Sequence, residues 1–212
     1  MKGLILIALL SSMFTISPYS SANIPNIQDN HCSDNQVIDN WNHMIEEAQY
    51  YDDEMKVLVV NSFFNTNIRY KKDTSNWEES NFWATPFESM INGQGDCEDY
   101  AIAKFKSLLL LGIPEDNLSI HHVNIKYGRS NLTDSHMVLV YKNEEGESFV
   151  LDNIDARILP IQERYDLTTV FSFNIHNLWI GESITQYSPI DKISQWRNLL
   201  TRFNYQSPFC IS

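Results

Sequence analysis

The period of the apolar residues changes once, at Gly112–Pro114, and that change constrains the fold more than any other feature. Before it, Val37, Trp41, Ile45 and Ala48 recur at helical spacing within 37–50, and Met55, Leu58, Val59, Ser62 and Phe63 do so within 53–65. "TPFE" at 85–88 offers Thr as a cap, Pro at the first helical position and Glu three residues after the cap, the pattern of a capping box. A further helix begins near Cys97, with Ala101, Phe105, Leu108 and Leu109 on one face. Gly112 stands where that helix terminates, and Pro114 prevents its continuation. From there the chain runs in short β-branched and aromatic stretches, "LSIHHVNIKY", "SHMVLVYK", "SFVLDNI" and "TTVFSF", separated by polar turns as strands are. Residues 191–204 return to a helix, with Ile193, Trp196, Leu200 and Phe203 on one face. Helices, then a meander of strands, then a helix predict an α+β fold with a largely antiparallel sheet. The expected division is a helical lobe over about 35–111, a sheet lobe over about 117–181 and the C-terminal helix, all within one domain spanning 23–212. A chain of 212 residues, 43% hydrophobic and 12% aromatic, is long enough for one such core and is not the composition of a disordered protein.

The first residues read differently. "MKGLILIALL" is one lysine followed by an apolar run, and Ser20 and Ala22 are small residues at −3 and −1 of a cut after Ala22. Residues 1–22 are therefore expected to be a signal peptide. A buried first helix or a membrane anchor is the alternative, but the run is too short and too broken by serine to span a bilayer. The formal charge is −12, and removing residues 1–22 takes away only Lys2, leaving −13. That balance disfavours nucleic acid and anionic lipid as partners and is compatible with cation binding. Three cysteines, Cys32, Cys97 and Cys210, leave at least one thiol without an intramolecular partner in an oxidising compartment. Pairing Cys32 with Cys210 would staple the termini and leave Cys97 as the thiol; two of the three being free and buried is the other reading.

"GQGDCEDYA", 93–101, then poses a chemical problem: Asp96, Glu98 and Asp99 surround Cys97. A cysteine in the first turn of a helix has unpaired N–H groups and the positive dipole end beside it, which favour a thiolate and could bind an oxyanion. The carboxylates oppose that. Acids also suit a first helical turn, and Asp96 could be the N-cap. Three around one thiol are better explained by a bound hard cation, for which clustered oxygens suit calcium, although the spacing is not that of an EF-hand.

A nucleophile needs a base. His136 opens the strongest strand, with Val138 and Val140 on its side, and Asp152 lies in the next strand beyond the turn "KNEEGE". Centring that hairpin near Glu144 and Glu145 puts Asp152 opposite His136 to within about one residue. The carboxylate could then fix the imidazole while the other ring nitrogen serves Cys97, the logic of a Cys-His-Asp triad. Each residue also has a structural reading: a strand histidine, a turn aspartate, a core cysteine. His121 and His122 are poorer bases, because they face opposite ways and have no carboxylate on an evident hairpin partner, and no zinc spacing such as HExxH or CxxC occurs. Gln94, just before the helix, is a further candidate to position an oxyanion.

"WATPFESMINGQGDCEDYAIAKFKSLLLLGIPEDNL", "SHMVLVY" and "FVLDNI" resemble the bacterial transglutaminase-like cysteine proteinases of LapG type, over about residues 77–160. The resemblance implies a papain-like, transglutaminase-like core with Cys97 as nucleophile, His136 as general base and Asp152 as its orienter. It also implies calcium at Asp96, Glu98 and Asp99, and residence in the periplasm. Proteases of this family release a large biofilm adhesin by cutting near its N-terminal retention module, and an inner-membrane receptor for cyclic di-GMP inhibits them by sequestration. A transglutaminase-type acyltransferase with the same triad, and a non-catalytic calcium-binding module with Cys97 in its core, are the competing expectations.

Overall fold

A computed structural model describes residues 35–72, 82–128 and 132–203. The expected signal peptide 1–22, and Cys32 and Cys210, lie outside the described residues. Helix α1 (Gln36–Ala48) is capped by Asn35, whose side chain accepts the N–H groups of Val37 and Ile38 at 3.0 and 3.3 Å. It buries Trp41, Ile45 and Ala48, the face its spacing predicts. Helix α2 (Asp53–Asn67) departs from expectation: Val57, Val60, Asn61 and Phe64 face inward, whereas Met55 and Leu58 are exposed. Apolar residues run nearly all round this helix, so spacing does not fix which stripe is buried.

Helix α3 (Pro86–Asn92) forms the predicted capping box: Glu88 donates its N–H to Thr85 Oγ1 at 3.2 Å, and Thr85 donates its own to Glu88 Oε2 at 2.8 Å. Two short strands, β1 (Arg69–Tyr70) and β2 (Gln94–Gly95), pair in parallel and tie the end of α2 to the segment that enters the next helix. That helix, α4 (Cys97–Leu110), is the centre of the molecule, with 10 residues buried. It ends in a Schellman motif, with Gly112 at φ 85°; Gly112 and Ile113 donate their N–H groups to the carbonyls of Leu109 and Leu108.

The strands that follow are β3 (Leu118–Lys126), β4 (Thr133–Lys142), β5 (Ser148–Leu151), β6 (Leu159–Pro160), β7 (Leu167–Phe173), β8 (Leu178–Ile180) and β9 (Ser183–Ile184). They form an antiparallel sheet in the order β6-β5-β4-β3-β7-β8-β9. This corrects the expected meander. The chain walks outward from β3 to β6, then crosses back to lay β7 on the other edge of β3, with a bulge between His122 and Val123. Leu118, Ile120, Met137, Leu139, Leu151 and Phe173 pack with the helices in the main core, while Val123, Val138, Val140 and Val150 form a smaller cluster, as the alternation of strand side chains requires. The expected C-terminal helix is two: α5 (Pro189–Lys192) and α6 (Ser194–Phe203), broken at Ile193. No helix among the described residues is long and apolar enough to cross a membrane.

Candidate active site

Cys97 is the first residue of α4 and Asp96 its N-cap. The cysteine is half-buried against the main core, and its Sγ–H donates to Glu98 Oε2 at 3.0 Å. The backbone N–H of Met137, on β4, points at the same sulfur. Burial pushes the thiol far above its usual range; Glu98, through its charge and its hydrogen bond, and then the charge of Asp96 add to that, while the Met137 N–H acts in the opposite direction. With the cluster as it stands, these contacts favour the protonated thiol, and its hydrogen bond goes to Glu98 rather than to a histidine.

The three carboxylates divide. Asp99, 1% exposed, accepts the Ala84 N–H at 2.7 Å and the Asp96 N–H at 3.2 Å, and so braces the preceding loop against the start of α4. Asp96 and Glu98 are the ones gathered at the sulfur: one ligand atom each from Asp96, Cys97 and Glu98 lie within 4.8 Å of one another. Two carboxylates at that spacing are a hard-oxygen donor set of the kind that suits calcium.

The hairpin does bring His136 and Asp152 together. Nε2 and Oδ1 are 2.8 Å apart and both side chains are buried. The register differs from expectation: Leu139 is opposite Leu151, so Asp152 comes next to the level of Val138, two residues from His136. The pair is diagonal, its side chains reaching along one face. Oδ1 also accepts the Ile154 N–H at 2.9 Å, and Oδ2 accepts Arg164 Nη2 at 2.8 Å. Burial by itself would raise the Asp152 carboxyl; the donors from His136, Ile154 and Arg164 outweigh it and hold the group at about 2. An ionised carboxylate only accepts, so the proton between them sits on Nε2, the tautomer in which Nδ1 is the nitrogen able to accept a proton.

Arg164 and its second partner Asp166, the Met137 N–H and Lys104 are site features that the sequence did not disclose. Lys104 lies two turns along α4 from Cys97, fully buried, with its Nζ 5.7 Å from the Tyr100 ring and no hydrogen-bond partner. Burial lowers its ammonium group to about 7, with the charge of Asp152 pulling the other way. His121 is enclosed between Ser119 and Thr169, at 2.9 and 3.3 Å, and burial lowers it to about 4. His122 instead bonds Ser135 Oγ at 2.7 Å, lies against Phe171, and with Trp83, Met137 and Cys97 lines a cavity of about 290 Å³. Gln94 sits in β2, half-buried, and is not among the residues lining that cavity.

A helix opening on a cysteine and packed against an antiparallel sheet is the arrangement of the transglutaminase-like thiol proteases. The family model described as "bacterial transglutaminase-like cysteine proteinase" matches residues 15–183, and the chain belongs to that family. Its structure is similar to that of Legionella pneumophila LapG at 32% sequence identity, with a TM-score of 0.65 over 77% of this chain and 85% of that one. Calcium-bound and EGTA-treated forms of the same Legionella protein match with TM-scores of 0.66, again over 77% of this chain, and over 87% and 86% of theirs. No curated protein matches by sequence. Family and fold together make the chain a LapG-type cysteine proteinase.

Proposed function

We propose that the chain is an exported, periplasmic, calcium-dependent endopeptidase whose Cys97, His136 and Asp152 act as a triad. Its substrate is the N-terminal region of a large surface adhesin, and its inhibitory partner an inner-membrane receptor for cyclic di-GMP. The observation that carries the catalytic part is the buried 2.8 Å pair of His136 Nε2 and Asp152 Oδ1, on the strand whose next N–H meets the Cys97 sulfur. Asp152, ionised, keeps the proton on Nε2, so Nδ1 is the nitrogen that takes the thiol proton. The thiolate attacks the scissile carbonyl, forming a C–S bond. The imidazolium then gives its proton to the leaving amine as the C–N bond breaks, and water hydrolyses the thioester with His136 again as base.

Asp96 and Glu98 are the carboxylates that would hold calcium, with Asp99 fixing the loop that carries them. Bound there, the ion supplies the positive charge that the cluster lacks. This reading is supported by the calcium-bound form of the similar Legionella protein and by the donor set itself.

The test is the rate at which iodoacetamide labels Cys97, mapped by mass spectrometry, with calcium and with a chelator. Fast labelling at pH 7, well below the free-thiol value of about 8.5, and its loss on chelation are expected. Equal, fast labelling in both conditions would remove calcium from the account, and slow labelling in both would overturn the triad. The N-terminal segment of a large adhesin, added to calcium-loaded protein, should be recovered as two fragments.

A further inference from the structure

Arg164 is a buried arginine that the triad by itself does not require. It is 3% exposed, it follows the short turn Ile161–Glu163, and it lies on the segment by which the chain crosses back from β6 to β7. Its fork is occupied on two sides. Nε and Nη2 grip Asp166 at 2.9 and 2.8 Å, and Nη2 also reaches Asp152 Oδ2 at 2.8 Å. A carboxylate has two oxygens and can rotate. Here one oxygen is fixed by Arg164, so the other is presented to His136 and to the Ile154 N–H. Asn65 Nδ2 donates to the Asp152 carbonyl at 2.8 Å and fixes the backbone beneath it.

We propose that Arg164, braced by Asp166, is a positioning residue for the reaction. It locks the Asp152 carboxylate in the orientation that keeps the His136 proton on Nε2 and leaves Nδ1 for the thiol. The inference rests on the triad reading above. A guanidinium can serve two carboxylates at once in a fixed plane, which a lysine cannot, so the geometry accounts for arginine at this position. Outer partners that orient metal-bound histidines change activity by about ten- to a hundredfold when removed, and a comparable orienting role here sets the expected effect.

The imidazole ¹⁵N–¹H spectrum of the full chain tests this directly, with the rate of Cys97 alkylation at pH 7 as a second reading. In the wild-type protein the His136 proton should appear on Nε2, protected from exchange. In Arg164→Met it should exchange rapidly or shift to Nδ1, and alkylation should slow at least tenfold. Arg164→Lys should recover part of both, because it restores the charge without the fork. A purely structural arginine would lower the thermal midpoint and leave the tautomer and the alkylation rate as they were; that result overturns the proposal. Asp152→Asn separates the two levels. If it labels like wild type, the triad reading fails; if it is slow while Arg164→Met is normal in both readings, only the role of Arg164 fails. Should Arg164→Met not fold, Asp166→Asn decides: a weakened Nε2 signal supports the clamp, and an unchanged one overturns it.

Discussion

Single residues in this protein are set against their ordinary preferences, and Lys104 shows the cost most directly. Its ammonium group is buried without a hydrogen bond and lowered to about 7. In the unfolded chain the same group titrates near 10.4. Between those values the unfolded state binds more protons, so this residue makes stability rise as pH goes from about 7 to about 10, and its cost is fully present below that window. Lys104→Met keeps the stem and removes the charge. It should raise the unfolding free energy at pH 7, read from denaturant titration, by roughly 1–3 kcal/mol, and flatten the pH dependence above 7. A variant less stable than wild type at pH 7 would show that the charge favours the folded state. Asp152 is the opposite case, a buried carboxylate whose donors more than offset its burial. Cys97, His136 and Asp152 stand out in the sequence as candidates because a cysteine at a helix start and a histidine facing a carboxylate across a hairpin are local patterns. The structure does place Cys97 at a helix start and pair His136 with Asp152. Arg164 is a local pattern of nothing: it meets Asp152 across 12 residues of turn and edge strand.

Elements position these groups, and the start of α4 is the most closely specified. Gly95 enters it with its backbone against Asp99: an added Cβ would lie 2.8 Å from Asp99 Cβ and 2.9 Å from Oδ2. Asp99 could give way only by leaving the Ala84 and Asp96 amides. Gly95→Ala should therefore cost about 1–3 kcal/mol, as overpacking does, and slow Cys97 labelling as the first turn shifts. A crystal structure or melting curve indistinguishable from wild type would refute this. Such a steric demand is invisible in "GQGDCEDYA", whereas the capping box of α3 and the Gly112 stop of α4 are legible, since cap and turn chemistry lie within a few residues. Spacing points to the wrong face of α2 because Val57, Leu58, Val59 and Val60 are all apolar and Asn61 is the buried polar residue among them. Asn61 is inside because its Nδ2 donates to the Ala156 carbonyl at 3.0 Å, a partner that spacing cannot supply. The two-residue strands β1 and β2 carry too little pattern to be seen at all.

At the scale of the whole molecule, the C-terminal helix closes the core between sheet and helices. Trp196 is fully buried and lies edge-on to Phe105 of α4 at 5.8 Å and to Phe173 of β7 at 5.2 Å. Trp196→Ala should cost about 3–5 kcal/mol, a large share of the 5–15 kcal/mol typical of a domain. A thermal midpoint within a degree or two of wild type would mean that this helix is not integral to the fold. The α+β class was legible from the single change of period, but the sheet order was not. The return from β6 to β3's free edge is a choice among topologies that share the same strands, and the crossing is held by Arg164, not by a strand signal. The hydrogen bond from Cys97 to Glu98 has a last consequence, for chemical durability. It is the thiolate that attacks peroxide and disulfides, so a sulfur that keeps its proton among carboxylates is slow to be oxidised. On the proposed reading, the acidic setting that looks ill-suited to a nucleophile protects the thiol from oxidation, and whatever cancels that charge makes the sulfur reactive and perishable together.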